Sequence, residues 1–497
     1  MVAVVRSAAR LPLPAQGAAM TLVPGPRNVP AEVRGAARRH AERWTGTGPL
    51  LGGAAITAFL MVVFVVLDYK FDLDPHRIIK VGIGALALGA IFAQPRFGLL
   101  LLPVVTPFLI WVPPLPIPGL NALNILLLDV FGSFAIIQVA SRRPILRQGR
   151  VGPALFTLLA ISGVSIIRGT LFPTGYPYYP IAALLDLLRS LVTFGVYFIV
   201  LAMARGEGDR RRITWAVMLG LLLESITVIK LGRNGSASRA VGSIGQANEL
   251  GAFLGMFSVI ALALAVGARS WFARLSAAVV FGLSAFAILL SLSRGGMLAL
   301  VGGAGVVLWR SSKLFFGILV VVLALSPFWL PDYVMDRITN STHETEEGVS
   351  ADKSSEARLL TWRAIFGVIA QHPIEGVGFE GLGAVLPDMG EAMGLADVRD
   401  SAHNTFLRML GELGVFGFGA FLFVLWKMFR VGDEAARRAK RRFDRATAIG
   451  LCGALVVIAI SCIFGDRFWS PVVVSSLWVM TGVVEDSLNH PAAEATA

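Results

Sequence analysis

The sequence predicts an all-α polytopic membrane protein with about 12–14 transmembrane helices and one large extracytoplasmic loop subdomain. Three observations lead there. Of the 497 residues, 55% are apolar and only 15% charged, with a mean hydropathy of +0.71, where a soluble domain carries roughly 25% charged residues. Fourteen segments approach the ruler of about 20 apolar residues per span. The 44 Lys and Arg exceed the 32 Asp and Glu to leave a net charge of +12, and 28 of the 44 fall in the N-terminal tail and in alternate loops. That is the pattern of the positive-inside rule, with the N-terminus cytoplasmic. A balance this basic also suits nucleic acid or an anionic surface; its placement assigns most of it to membrane topology.

Taken in order, residues 1–48 are rich in Ala, Pro and Arg, lack the apolar core of a cleavable signal, and read as a disordered basic cytoplasmic tail. Residues 49–330 hold eleven apolar segments: 49–67, 78–93, 97–112, 120–140, 151–168, 181–204, 213–231, 247–266, 275–292, 296–309 and 314–330. The inside loops between them are basic, whereas an outside loop such as 113–119 carries no charge. Residues 331–402 are polar and form the longest connection, the expected extracytoplasmic subdomain. Within it, Ser354 is placed to cap an amphipathic helix running through Arg358, Trp362 and Ile369, which Pro373 ends. A glycine-rich stretch and a short helix near Met389 follow. Residues 403–485 supply the last spans, at 405–428, 446–464 and 469–484, and residues 486–497 a second cytoplasmic tail. Cys452 and Cys462 share one apolar segment and read as packing residues. No long-period repeat or matched pair of broken segments points to a secondary transporter.

The basic residues on the other side carry the functional signal. Arg168, Lys230, Arg233, Arg239, Arg294, Arg337, Arg358, Arg363, Arg399, Arg408 and Arg467 fall at or beyond the outer ends of the spans, with Lys70, Arg77 and Lys80 flanking the first outer loop and Lys353 read as a solvated charge. Arg189 lies deeper, roughly 12 Å below the boundary at 1.5 Å per residue. Asp186, three residues earlier, shares its helical face, and Glu224 sits at a similar depth. A charge in the bilayer costs at least a few kcal/mol and pairs or faces a polar cavity. The plain reading is that Asp186 and Arg189 neutralise each other; the whole set suggests a cationic cavity open to the outside. Arginine's planar fork suits phosphate oxygens, so the anion implied is a lipid-linked phosphate or pyrophosphate rather than nucleic acid.

Three motifs sharpen this. Ser293-Arg294-Gly295-Gly296 lies between two spans; glycines beside an arginine let a ligand approach backbone N–H groups at a helix start, although Gly-Gly also marks a plain turn. A glycine-rich loop from Arg239 through Gly242 to Asn248 reads either as a second anion-binding element or as a surface turn. The third motif is His403-Asn404 followed by Gly414 and Gly417. Asp400 or Ser401 as N-cap would place His403 in the first turn of a helix, whose positive end keeps imidazole neutral, as a general base must be. Leu407, Gly411 and Gly414 would continue the stripe below it. His343 and His372 read as structural or solvated.

These residues, in this order, resemble the O-antigen ligase and O-antigen polymerase family of bacterial envelope glycosyltransferases. The match comprises the Arg239, Gly242, Asn248 loop, the Ser-Arg-Gly-Gly element, Glu356 to Trp362, the run Pro373, Gly376, Gly378, and the His403 to Gly417 signature. It spans roughly residues 189–428, and departs from the family where Gln246-Ala247-Asn248 stands for Asn-Pro-Asn. The resemblance implies a multi-pass protein of the bacterial inner membrane with its active site on the extracytoplasmic face. It implies inverting, metal-independent glycosyl transfer from an undecaprenyl-pyrophosphate-linked glycan, with no cofactor. On this reading His403, Arg294 and Arg239 are catalytic, and Arg189, Arg168, Asn404, Arg358, Asn248 and Gly295 bind substrate. Polymerisation of O-antigen or exopolysaccharide repeats is favoured over ligation to lipid A core, since nothing in the chain is specific to that acceptor. The alternative from another class is an anionic-solute or bicarbonate transporter. Expected partners are the lipid-linked glycan, membrane lipids, and assembly proteins such as a flippase and a chain-length regulator.

Overall fold

The computed structural model describes residues 75–111, 122–140, 147–172, 174–204, 206–232, 239–330, 351–395 and 398–490, with Arg142, Val334 and Met335. The N-terminal tail, the span at 49–67, the loop 113–119, most of the C-terminal tail, Lys70, Arg233, Arg337 and His343 lie outside the described residues, as do the side chains of Arg77, Lys80 and Lys353.

Each remaining apolar segment is a helix, and local chemistry sets many of the ends. Proline stands in the first turn of several, where its missing N–H would be unsatisfied in any case, among them α2 (Pro95–Val105), α4 (Gly152–Leu171), α5 (Pro180–Met203) and α15 (Pro471–Asn489). The others before the long polar connection are α1 (Pro75–Ala93), α3 (Ala122–Ala140), α6 (Glu207–Gly232), α7 (Ala247–Gly267), α8 (Trp271–Leu290), α9 (Arg294–Ser311) and α10 (Lys313–Ala324). A short helical turn, Thr106–Trp111, follows α2. Ser293 and Ser312 cap α9 and α10 through their hydroxyl oxygens. Beyond it come α11 (Ala351–Gln371), α12 (Leu382–Ala392), α13 (Thr405–Arg438) and α14 (Arg442–Ile463). Among the described residues nine helices are long and apolar enough to cross a membrane: α3 to α8 and α13 to α15. Shorter apolar helices cover Gly82–Ala93, Pro95–Leu109 and Lys313–Ala324. The chain is an all-α multi-pass membrane protein.

The centre is α7, packed on α8, α9 and α14, with α13 and α15 closing against α14 and α5. Its residues from Leu250 to Ile260 are buried in succession. By contrast α10 buries none of its residues. A separate small core joins α11 and α12: Ile365, Val368, Leu382, Leu386 and Met389 close on Val377 and Ala402. Cys452 and Cys462 are buried free thiols in α14, as expected of packing residues.

One end of the bundle carries most Lys and Arg, and its buried arginines are neutralised. Arg210 of α6 donates to Asp444 of α14 and Asp486 of α15, each at 3.0 Å. Arg150 pairs with Glu434 at 2.6 Å, Arg310 with Asp433, and Arg441 with Glu207. The Arg150 backbone N–H and the Tyr197 hydroxyl both donate to Glu485 at 2.5 Å. This basic end ties the termini of α4, α6, α9, α13, α14 and α15 into one bonded layer.

Candidate active site at the end opposite the basic layer

At the other end, the start of α13 is set by its cap. The N-cap is Asn404, whose side-chain oxygen accepts the Leu407 N–H at 3.1 Å. This corrects the placement expected from sequence: neither Asp400 nor Ser401 is the cap, and His403 is not in the first helical turn. His403 precedes the cap with φ of +47°, in the left-handed region. Such backbone costs about 1–3 kcal/mol and persists where surrounding contacts impose it. Those contacts come from α11 and from the turn between α14 and α15. Trp362 donates to Ala402 O at 3.0 Å, the Arg399 N–H donates to Thr361 at 3.0 Å, and the Thr405 hydroxyl donates to Gly465 O at 3.0 Å.

The helix below is broken by design of its neighbours. Gly414 has φ +64° and ψ −167°, a kink inside α13. The carbonyls freed there are taken up by the loop after α11: the Val377 N–H donates to Gly411 O and the Gly378 N–H to Glu412 O, both at 2.9 Å, while the Val415 N–H donates to Pro373 O at 3.0 Å. A Cβ on Gly414 would stand 1.9 Å from Ile374 O, and one on Gly376 2.3 Å from Glu412 O. The Pro-x-x-Gly-x-Gly run and the glycines after His403 are therefore two sides of one backbone seam. The continuous stripe expected from His403 through Gly414 does not form. Ser354 falls inside α11 rather than just before it.

Around His403 the structure gathers arginines from four segments: Arg358 of α11, Arg399 of the following link, Arg467 of the α14–α15 turn and, next to Arg358, Arg294 at the start of α9. Burial, then Arg358, Arg399 and Arg467, hold the His403 pKa down to about 4, with Asp400 opposing; the imidazole is neutral at pH 7. Burial and then the neighbouring Arg399, Arg467 and Arg294 lower the pKa of Arg358, and its Nε is buried with no hydrogen-bond partner among the described residues. Arg467 donates to Glu249 at 2.9 Å. Arg294, Arg358 and Arg399 are half-buried and have no carboxylate partner among the described residues. Excess positive charge here is a built demand for an anion.

The other residues singled out in the sequence take supporting places. Arg239 donates to Asn248 Oδ1 at 2.8 Å and to Ser291 O at 3.3 Å, and the Ser293 hydroxyl donates to the same Asn248 oxygen at 3.0 Å. Asn248 Oδ1 thus joins the glycine-rich loop to the Ser-Arg-Gly-Gly turn. The Gly296 N–H is used by the Ser293 cap at 3.2 Å, and Gly295 gives room to Phe464. Arg168 is bonded to Gly376 O and braces the seam. Arg189 pairs with Asp186 on its own helix, the plain reading of that pair. Arg408, counted from sequence among the outer cations, is neutralised by Glu380, Glu412 and Asp466. His372 is bonded to Glu375 at 3.0 Å. Sequence reasoning did not foresee that Arg399 and Arg467 flank His403; their membership of the outward set was the available signal. Among the described residues no group of His, Cys, Asp or Glu is arranged to hold a metal ion.

Fold and site together define a multi-pass membrane protein with a half-buried arginine cluster around a neutral histidine at one end. Sequence comparison adds a likeness: residues 278–422 match the family model described as O-antigen ligase. That stretch contains Arg294, Arg358, Arg399 and His403. No curated protein matches the chain. Among solved structures, a chain from "Structural coordination of polymerization and crosslinking by a peptidoglycan synthase complex" is similar at 16% identity, over 69% of this chain and 98% of that one. Its TM-score is 0.40, a level of likeness that carries no argument about function.

Proposed function

We propose that the protein is a lipid-linked glycan glycosyltransferase that polymerises undecaprenyl-pyrophosphate-linked repeat units of O-antigen or exopolysaccharide. Transfer is inverting and takes place at the outer face of the inner membrane. One observation carries the reading: Arg358 and Arg399 stand beside a neutral His403 and Arg294 beside Arg358, none of the three paired with a carboxylate among the described residues, within the stretch that matches the O-antigen ligase family model. An acceptor hydroxyl oxygen bonds to the anomeric carbon while the anomeric C–O bond to phosphate breaks, and the diphosphate leaves with the bonding electrons. His403 takes the hydroxyl proton on the opposite face of the sugar. Arg294, Arg358 and Arg399 hold the diphosphate as its charge grows, the kind of preorganised stabilisation worth most in a site of low dielectric. Their charge does what a divalent ion would do and repels one, which supports metal-independent transfer. A bound diphosphate also offsets the field that holds the His403 pKa down, raising its basicity when a base is needed. Asn404, Arg239, Asn248, Gly295 and Arg168 then shape the site around these groups, while Arg189 stays paired with Asp186.

The ligase reading makes and breaks the same bonds with lipid A core as acceptor, and the matched family bears that name. The surface glycan of a deletion strain separates the two. Loss of long chains with a single repeat left on the acceptor is expected for a polymerase; long chains stranded on the carrier lipid would establish a ligase instead.

A further inference from the structure

Glu224 lies in the half of α6 away from the basic layer and is fully buried. No cation forms an ion pair with it among the described residues. It faces the turn 241–245 instead: the Ser243 N–H donates to Glu224 Oε1 at 2.9 Å, and the Ser243 hydroxyl lies between Glu224 Oε2 and Pro107 O, the latter at 2.9 Å. A hydroxyl has one hydrogen and cannot donate to both. The carboxylate is also held by the Ile244 backbone N–H, so two backbone N–H groups and one hydroxyl of the turn converge on Glu224. Gly242 is fitted to this group, since its φ is +58° and a Cβ there would stand 2.2 Å from Glu224 Oε1.

The turn held in this way starts a run of bonds that ends at the arginine cluster. Three residues before Gly242, Arg239 is fastened to Ser291 O and Asn248; Asn248 accepts from Ser293; Ser293 caps α9 through the Gly296 N–H. Arg294 is the next residue after that cap. We propose that Glu224 is the positioning residue of the anion site, a buried carboxyl that fixes the 239–248 loop and thereby where Arg294 points. It touches no substrate and acts through Asn248 and Ser293. The inference rests on Arg294 being a diphosphate-holding residue.

The test is calorimetric binding of inorganic pyrophosphate to the full chain in detergent, with thermal melting of each variant alongside. Glu224→Ala is expected to weaken binding about tenfold or more, because a buried hydrogen-bonded anchor is lost. Glu224→Gln is expected to stay within about twofold of the parent, since its amide donates to Ser243 Oγ and its oxygen accepts the Ser243 N–H. Glutamine as damaging as alanine, or alanine binding like the parent, overturns the proposal. Should Glu224→Ala fail to insert, Ser243→Ala removes the same link while keeping the N–H, and unchanged affinity there overturns it equally. Arg294→Ala keeps the two failures apart: a parent that does not bind, or an Arg294→Ala that binds as well as the parent, removes the site reading itself. Loss on Arg294→Ala with full binding by Glu224→Ala removes only the positioning role.

Discussion

The two ends of the molecule use arginine in opposite ways. In the basic layer a buried guanidinium such as Arg210 meets two carboxylates and is spent on holding helices together. At the other end Arg408 is spent likewise, against Glu380, Glu412 and Asp466, but Arg294, Arg358 and Arg399 stand half-buried with no carboxylate partner among the described residues. The difference teaches that a count of arginines on one side is a weak indicator of a binding site; the balance of charge around each one is the informative quantity. Paired arginines mark structure. Unpaired and desolvated ones mark a place where charge is still to be supplied.

Substitutions can break this contrast. Arg210→Ala leaves Asp444 and Asp486 buried without their cation, and is expected to destabilise the fold by about 3–5 kcal/mol, read by denaturation in detergent. Arg294→Ala is expected to lower the transfer rate roughly 100- to 1,000-fold, about 3–4 kcal/mol of transition-state stabilisation, with melting unchanged. A stability loss equal to that of Arg210→Ala would erase the distinction. A finer probe is pH. Arg399 holds the His403 pKa down, so Arg399→Gln raises it, and the acid limb of kcat/KM, where imidazolium replaces the base, moves up from about pH 4. A limb that stays in place would show that Arg399 does not face His403. The smallest effect is expected for Arg358→Ala in the empty protein: with like charges around it, its removal leaves stability unchanged or slightly raised, whereas an unfolding Arg358→Ala would mean a hidden partner.

The helices were legible because apolar runs of membrane length leave little choice of structure, and α3 to α8 and α13 to α15 follow the segments read from sequence to within a few residues at most ends. His403, Arg294 and Arg358 were legible as chemistry, from residue type and position on the less basic side. Their gathering was less so. It depends on contacts between segments far apart in the chain, such as Trp362 with Ala402 and Thr405 with Gly465. The kink at Gly414 was hidden for the same reason: its broken hydrogen bonds are restored by residues 373–378, and a helical stripe drawn on α13 alone cannot show this. The cap was missed because Asp, Ser and Asn all compete for that role within five residues, and tertiary contacts chose Asn404.

The most direct test of the account is glycosyl transfer by the purified full chain in detergent, given its lipid-linked glycan, with His403→Ala compared to the parent at matched membrane insertion. The account predicts that transfer falls by about 100- to 10,000-fold, the usual worth of a positioned base, while pyrophosphate still binds. Transfer at the parental rate by His403→Ala would contradict it.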